Sequence, residues 1–123
     1  MVNDVPVQGD IIKINLNPKK GHEQQGSRPY ICLSNKIISD AANIAVFAPI
    51  SNTKRQYPMY IPLEGTITTG SVLLDQLVTI DYNARDFNFI ETVPPTVISD
   101  LLAKVVLVFQ PNIKYEQILS KSL

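Results

Sequence analysis

The sequence predicts a mainly β fold with helices: a small antiparallel barrel or strongly bent sheet capped by a C-terminal helix. Three observations lead there. Five or more apolar runs of strand length follow one another, most of them with short connections. Gly and Pro punctuate the intervals between them. After Pro94-Pro95 the apolar spacing changes from a strand period to a helical one.

The elements follow in order. Between Asp10 and Leu16, Ile12, Ile14 and Leu16 alternate with Lys13 and Asn15, the signature of a half-buried strand. A second strand spans Pro29 to Ser34, with apolar residues nearly continuous, so both of its faces are expected to be covered. Asn35 to Asn43 suits one or two helical turns capped by Ser34 or Asn35. Ile44 to Ile50 is a strongly buried strand that runs into the polar cluster Ser51 to Gln56. Tyr57 to Leu63 reads as an edge strand, because Pro58 and Pro62 cannot donate to a ladder. Ser71 to Ile80 reads as one long β run with Asp75-Gln76 in its middle. A carboxylate in a buried strand is costly unless paired. Asp75 is therefore expected to bond an arginine or backbone donors, or to lie at the floor of a cleft. Phe89 to Val93 is a further short strand. Thr96 to Phe109 places Val97, Leu101, Val105 and Val108 on one helical face, with Ile98 and Leu102 beside them. Pro94-Pro95 suits the start of that helix, and Pro111 ends it. Beyond the region of the helix lies the tail, 110–123, in which Asn112 to Leu123 allow a second short helix.

Composition narrows the classes of function. The chain has 123 residues, 45% hydrophobic and 18% charged, as expected of one globular domain over 1–123. Eleven Lys plus Arg balance eleven Asp plus Glu. A polyanion would have to be met by a local cluster of positive charge and not by a global field. The single Cys32 excludes an intrachain disulfide and reads as a small buried hydrophobe, which fits a reducing compartment. The stretch from Met1 to Pro6 lacks the pattern of a signal peptide, and no apolar run approaches a membrane span. A cytoplasmic protein is expected. One His and one Cys in separate elements make no zinc pattern, so neither a metal nor another cofactor is expected. Gly21 and Gly26 lack the strand–turn–helix context of a nucleotide-binding loop.

The chemistry concentrates in the segment Asn17 to Pro29. Pro18, Gly21 and Gly26 forbid a regular element there, and a loop of this length between adjacent strands is uncommon. It carries the only histidine, His22, together with Lys19, Lys20, Glu23, Gln24, Gln25 and Arg28. Taken alone, such a loop reads equally well as a solvated hairpin tip.

A wider pattern changes that balance. Gly9-Asp10-Ile11-Ile12, the segment Asn17 to Pro29 and Leu33-Ser34-Asn35 resemble the opening of the MazF/PemK/Kid toxins, and Gly-His-Glu-Gln-Gln-Gly resembles the PemK/Kid branch in particular. Pro49-Ile50-Ser51-Asn52-Thr53, Tyr57-Pro58, Thr69-Gly70-Ser71-Val72, Asp75-Gln76 and Thr79-Ile80-Asp81-Tyr82-Asn83-Ala84-Arg85 follow in family order. The resemblance covers about Gly9 to Phe109. It implies a small SH3-like barrel of the CcdB/MazF type, assembled as a homodimer. It also implies the toxin half of a bacterial type II toxin–antitoxin pair: a ribosome-independent endoribonuclease that cuts single-stranded RNA at short sequences without metal. The products would carry 2′,3′-cyclic phosphate and 5′-OH ends. The antitoxin, MazE/PemI-like, would bring a disordered acidic segment.

The resemblance also assigns residues. Arg28 matches the family's catalytic arginine, and its fork of donors suits phosphate oxygens. Ser51 falls where many members have a catalytic threonine; it keeps the hydroxyl and loses the methyl that restricts χ1. His22 has the ionisation range for proton transfer near neutrality. In the Kid-like branch Asp75 is the proposed base, working with an arginine two residues earlier. This chain has Leu73 there, which favours Arg28 with Ser51 and leaves Asp75 to orient Arg28 or read a base edge. Glu23, Gln24, Gln25, Asn52, Thr53 and Gln76 offer donors and acceptors to unpaired bases. Lys19, Lys20, Lys54, Arg55 and Arg85 are candidates for backbone phosphates. Two other readings stand beside this one: a CcdB-like gyrase poison, and a catalytically inactive module that binds an antitoxin.

Overall fold

The computed structural model describes residues 5–16 and 26–112. Its strands are β1 (Asp10–Asn15), β2 (Ser27–Cys32), β3 (Ile44–Ser51), β4 (Tyr60–Pro62), β5 (Ser71–Leu73), β6 (Val78–Asp81) and β7 (Phe87–Thr92). Two helices complete it: α1 (Lys36–Ala42), and α2 (Pro95–Val105), which a 3₁₀ turn, Val106–Phe109, follows.

All the pairings are antiparallel, and the strands run in the order β4-β5-β3-β2-β1-β7, with β6 paired to β3 off that path. The bend has local causes. β3 divides its partners: Ile44 to Phe47 pair with β6, whereas Ile50 and Ser51 pair with β5. The register of β1 on β7 also shifts between Ile11 and Ile12. A bulge of this kind bends and twists its strand.

Both faces of the sheet are apolar, and each has its own core. One joins Ile11, Ile31, Leu33, Ala48, Ile50, Val72, Leu74, Val93 and Leu101, with Val97, Ile98, Leu102 and Val105 of α2 laid over it. The other joins Ile12, Ile14, Cys32, Ala45, Phe47, Ile80 and Tyr82. The adjacent pairs Ile11/Ile12 and Ile31/Cys32 supply one residue to each core. Side chains alternate along a strand, so a strand with two apolar neighbours in sequence is covered on both sides. The near-continuous apolar run of β2 is explained in this way.

α1 is capped as the sequence suggests. Asn35 Oδ1 accepts the Ile37 N–H at 3.0 Å. At the other end Asn43 takes the left-handed conformation (φ 59°), and its N–H bonds the Ser39 carbonyl. α2 begins at Pro95, where a missing N–H leaves nothing unsatisfied.

Four expectations are corrected. The long run from Ser71 to Ile80 is two strands, separated by a turn that holds Asp75 and Gln76, both exposed. The helix expected through Phe109 is α-helical only to Val105. Tightening to 3₁₀ advances each side chain by about 120° in place of 100°, and Val108 consequently lies 38% exposed and Phe109 72% exposed. β2 begins at Ser27, so Arg28 stands on a strand and not in a loop. The edge strand within 57–63 is three residues long, Tyr60–Pro62. The helix suggested for the tail falls almost wholly outside the described residues.

β4 and β7 stand at the two ends of the strand order, and a side chain bridges them. Glu91 of β7 accepts the N–H groups of Ile67 and Thr68, at 3.0 and 2.6 Å, and the Thr68 hydroxyl at 2.7 Å. Residues 66–70 of the β4–β5 connection are thereby drawn against β7. Burial pushes the Glu91 carboxyl up, but the bonds from Thr68 and Ile67 outweigh it and leave its pKa below the usual carboxylate value.

Candidate RNA-cleavage site

The register between strands decides which predicted residues meet. In the β2–β3 ladder Tyr30 lies opposite Pro49 and Ile31 opposite Ala48. Carried two residues further, this register sets Arg28 opposite Ser51. On its other edge Ser51 pairs with Ser71, and Ser71 pairs with Pro62. One row thus crosses four strands through Arg28, Ser51, Ser71 and Pro62. Beside it stand the pairs Tyr30 with Pro49 and Leu73 with Tyr60. The flanking residues Ile50 and Val72 belong to the core beneath α2, so by alternation the row and these pairs face the opposite way.

Arg28 is exposed, and Ser51 is half-buried where β3 leaves the sheet. Arg28 lies close enough to Tyr30 for its charge to act on the phenol: burial raises the Tyr30 pKa, and the guanidinium partly offsets the rise. A half-buried hydroxyl beside an exposed fork of donors is suited to a phosphate group that arrives from solvent.

Backbone geometry brings β5 hard against Ser51. Gly70 has φ +119°, and a Cβ there would stand 2.7 Å from the Ser51 carbonyl oxygen and 3.1 Å from Asn52 Oδ1. Only glycine fits both the torsion and the approach. The Thr69 hydroxyl donates to Asn52 Oδ1 at 3.4 Å, a long contact that still places Asn52 beside this connection. Gly26, before β2, differs: a Cβ there would meet the Asn15 side-chain amide oxygen at 2.5 Å, a neighbour that can swing aside.

The remaining candidates divide into four groups. Arg85 donates from Nη1 to the Asn15 carbonyl at 3.1 Å, and Asn15 pairs with Ser27, so Arg85 stands at the same end of the sheet as Arg28. Thr53, Lys54 and Arg55 continue from Ser51, with the Thr53 hydroxyl accepting the Arg55 N–H at 3.2 Å. Gln76 lies in the turn after β5 and donates to the Tyr60 hydroxyl at 3.3 Å. Lys19, Lys20, His22, Glu23, Gln24 and Gln25 lie outside the described residues.

Asp75 does not sit as expected. It is exposed in the turn and not in a buried strand, and among the described residues it makes no hydrogen bond or ion pair. The buried carboxylate is Asp10, 6% exposed, which accepts the Val7 N–H at 2.9 Å and the Thr92 hydroxyl at 2.8 Å. Cys32 is buried as expected, and desolvation pushes its thiol up to about 11 against bonds to Ser34 that lower it. Such a thiol is no nucleophile at neutral pH.

Sequence reasoning also passed over Tyr57 and Tyr60, whose rings meet edge to face at 4.8 Å beneath the Arg55 guanidinium. Aromatics beside a basic cluster were the available signal. A groove of about 520 Å³ between β4 and α2 is lined by Ile61, Leu63, Pro94, Val97, Leu101 and Lys104, among others. None of its lining residues is a predicted site residue, although Pro62, which also lines it, stands at the β4 end of the row. No helix among the described residues is long and apolar enough to cross a membrane.

A bent antiparallel sheet closed by a C-terminal helix is the fold of a toxin class. Residues 7–109 match the family described as PemK-like, MazF-like toxin of type II toxin-antitoxin system, and the chain belongs to that family. It is 32% identical over 101 residues to the endoribonuclease toxin MazF of Escherichia coli K12, a match covering 82% of this chain and 91% of that protein. It is 33% identical over 103 residues to the endoribonuclease PemK of Escherichia coli, covering 80% and 77%. Among solved structures, MazF from Deinococcus radiodurans superimposes with a TM-score of 0.72 at 25% identity, covering 87% of this chain and 98% of that one. A MazE-MazF complex from the same organism gives 0.73 at 20% identity, covering 89% and 100%.

Proposed function

We infer that the chain is an endoribonuclease, the toxin of a type II toxin–antitoxin pair, and that it cuts single-stranded RNA with Arg28 and Ser51 at the reacting phosphate. The observation that supports the reading is the β2–β3 register, with Tyr30 opposite Pro49 and Ile31 opposite Ala48, which extended by two residues would bring Arg28 and Ser51, far apart in sequence, into one row.

The chemistry follows from the residue types. The 2′-oxygen attacks the adjacent phosphorus, its proton leaves to a base, and the bond from phosphorus to the 5′-oxygen breaks as that oxygen gains a proton. Negative charge builds on the non-bridging oxygens. Arg28 offers a fixed fork of charged donors to that charge, and donors aimed at developing charge are commonly the largest catalytic term. The Ser51 hydroxyl gives a further donor. His22 is the candidate for proton transfer. Asp75, in its exposed turn, is better suited to reading a base edge than to orienting Arg28. Asn52, Thr53 and Gln76 serve the bases, while Lys54 and Arg85 serve the phosphates. The loop residues Lys19, Lys20, Glu23, Gln24 and Gln25 are assigned to the same RNA surface.

Two solved complexes, a MazE-MazF pair and a mycobacterial endoribonuclease with its cognate antitoxin, support an antitoxin partner for this chain. Its acidic segment would cover the positive end of the sheet formed by Arg28, Lys54, Arg55 and Arg85. A homodimer in the bacterial cytoplasm completes the reading.

Incubation of the protein with a long, structureless RNA in the presence of a chelator tests it. Cleavage at a short recurring sequence, leaving 2′,3′-cyclic phosphate and 5′-OH ends, is expected. Products with 5′-phosphate ends would overturn the mechanism. Intact RNA would overturn the activity, and gyrase-dependent DNA breakage would then favour the CcdB-like reading.

A further inference from the structure

We propose that Tyr57 and Tyr60, with Arg55 laid across them, form a stacking platform that holds one nucleobase of the RNA next to the Arg28–Ser51 row. The proposal rests on RNA being the substrate and adds to that reading where and how a base is gripped.

The rings are fixed before any ligand arrives. Tyr57 and Tyr60 bracket a β-turn in which the Tyr60 N–H bonds the Tyr57 carbonyl at 2.9 Å. Pro58 stands at the position where proline pre-sets the turn. The Leu74 N–H bonds the Met59 carbonyl at 2.9 Å and pins the turn to the end of β5. The rings meet edge to face at 80°. Two aromatic side chains held by backbone lose little freedom when a ligand stacks on them.

They do no packing in either core. Met59 and Ile61 pack against the core beneath α2, whereas Tyr57 and Tyr60 belong to neither apolar cluster. Both are half-exposed, and Arg55 is exposed. The Arg55 guanidinium lies 4.7 Å from the Tyr57 centroid and 5.7 Å from that of Tyr60. Sequence reasoning assigned Arg55 to a backbone phosphate; the geometry gives it planar neighbours instead. A guanidinium plane over tyrosine presents a flat cationic surface, and unpaired bases stack on such planes as on aromatic rings. Gln76, bonded to the Tyr60 hydroxyl, adds an amide able to meet a base edge.

The platform also lies on the correct face. Tyr60 shares a face of the sheet with Pro62 and Ser71, and Ser71 pairs with Ser51. From Arg28 to Tyr60 is three strand spacings and one repeat along the strand, about 16 Å. A single strand of RNA with its phosphate at Arg28 reaches it within a short run of nucleotides.

The test uses the RNA that the wild-type protein cuts, remade with 2′-O-methyl ribose throughout so that no 2′-OH is free to attack. Tyr57→Leu and Tyr60→Leu should each raise its Kd roughly 5- to 100-fold, the range for loss of one base–aromatic stack. Tyr57→Phe and Tyr60→Phe should stay near wild type. A single abasic nucleotide, moved along the RNA, should weaken wild-type binding at one position by a comparable factor and weaken the Leu variants no further. This last measurement needs only the wild-type and Phe proteins if a Leu variant fails to fold. Unchanged Kd in the Leu variants, or an abasic series without a sensitive position, would overturn the platform while RNA cleavage by the wild type stands. Loss of binding to a polyglutamate peptide with RNA binding intact would assign the rings to an acidic protein segment and overturn it too. A wild type that neither binds nor cuts RNA would remove the proposed function along with it.

Discussion

The two halves of β3 are built for different tasks. The first, Ile44 to Phe47, pairs with β6 on one edge, and its Ala45 and Phe47 are buried in the second core. The second half gives up β6 for β5, holds Ile50 in the other core, and ends on Ser51 at the open face. A single continuous strand therefore carries a packed end and a chemical end, eight residues from first to last. The packed end holds the chemical end still, because a strand interior cannot shift register without moving every side chain on it to the opposite face. Changes at the first end should be read in stability and changes at the second in rate.

The largest effect should come from the packed end. Phe47 is fully buried, and Phe47→Ala should destabilise the fold by about 3–5 kcal/mol through lost contacts and a cavity. A clear fall in urea midpoint checks this. A stable Phe47→Ala protein would break the division of β3 into two tasks.

Next comes Arg28→Ala, with the opposite profile. The cleavage rate should fall on the order of 10²–10³-fold, the loss expected for a single charged donor at the reacting oxygens. The urea midpoint should hardly move, because Arg28 is exposed. Ser51→Ala should cost the rate somewhat less, and Ser51→Thr should keep or raise activity by stiffening χ1. Wild-type rates in Arg28→Ala would end the mechanism.

Glu91 sharpens the comparison, since it touches the chemical end only through the 66–70 connection. Its folded pKa is depressed, so its contribution is present above the unfolded carboxylate pKa and is lost as pH falls through the folded value. Glu91→Gln should cost about 1 kcal/mol at neutral pH, after allowance for partial screening by solvent. Wild type and variant should converge in stability only once pH has fallen through the depressed folded value. A gap that persists into acid would mean that the carboxylate charge is not what the bonds exploit.

The smallest effect belongs to Asp75→Asn. It is exposed and outside the core, so stability should change by less than about 0.5 kcal/mol. If Asp75 reads a base edge, the preferred cleavage sequence should shift while the rate at the best site holds. A loss as large as that of Arg28→Ala would restore Asp75 as the base.

Much of this was open to reading in the sequence, and the misses share a cause. The strands β1, β2 and β3 declare themselves by apolar runs whose faces the structure fills on both sides. α1 declares itself by Asn35 and Asn43, and α2 by Pro94-Pro95. The break between β5 and β6 did not show, because Leu73-Leu74 and Leu77-Val78 are as apolar as strand interiors and the two polar residues between them were read as buried. The price of a buried carboxylate was therefore attached to Asp75, when the residues that hold carboxylates in place are Asp10 and Glu91. What places those two is hydrogen bonding from Val7, Thr92, Ile67 and Thr68, contacts between distant segments that no local pattern announces. Of the site, the residue types were legible through family resemblance, whereas the row joining Arg28 to Ser51 exists only once the β2–β3 register is known. Tyr57 and Tyr60 went unnoticed because aromatics in a strand are ordinarily core.

The Glu91 bridge has a consequence for the order in which the fold opens. In hydrogen bonds, the unit formed by β4 and β5 is tied to β3 by a two-residue ladder and a long Thr69–Asn52 contact and, at the far side, to β7 by one carboxylate, while Val72 and Leu74 anchor it in the core beneath α2. β1, in contrast, lies between β2 and β7 with five paired residues on each side. Native-state hydrogen exchange should therefore release the amides of β4 and β5 in a partial opening, well before those of β1 and β2. Ser71, Gly70 and the Tyr57–Tyr60 turn would leave together in that opening, while Arg28 remained on the folded sheet. The site is thus assembled across a seam between a strand bonded along its length on both sides and a unit held by few hydrogen bonds, and the exchange experiment reads whether the second opens first.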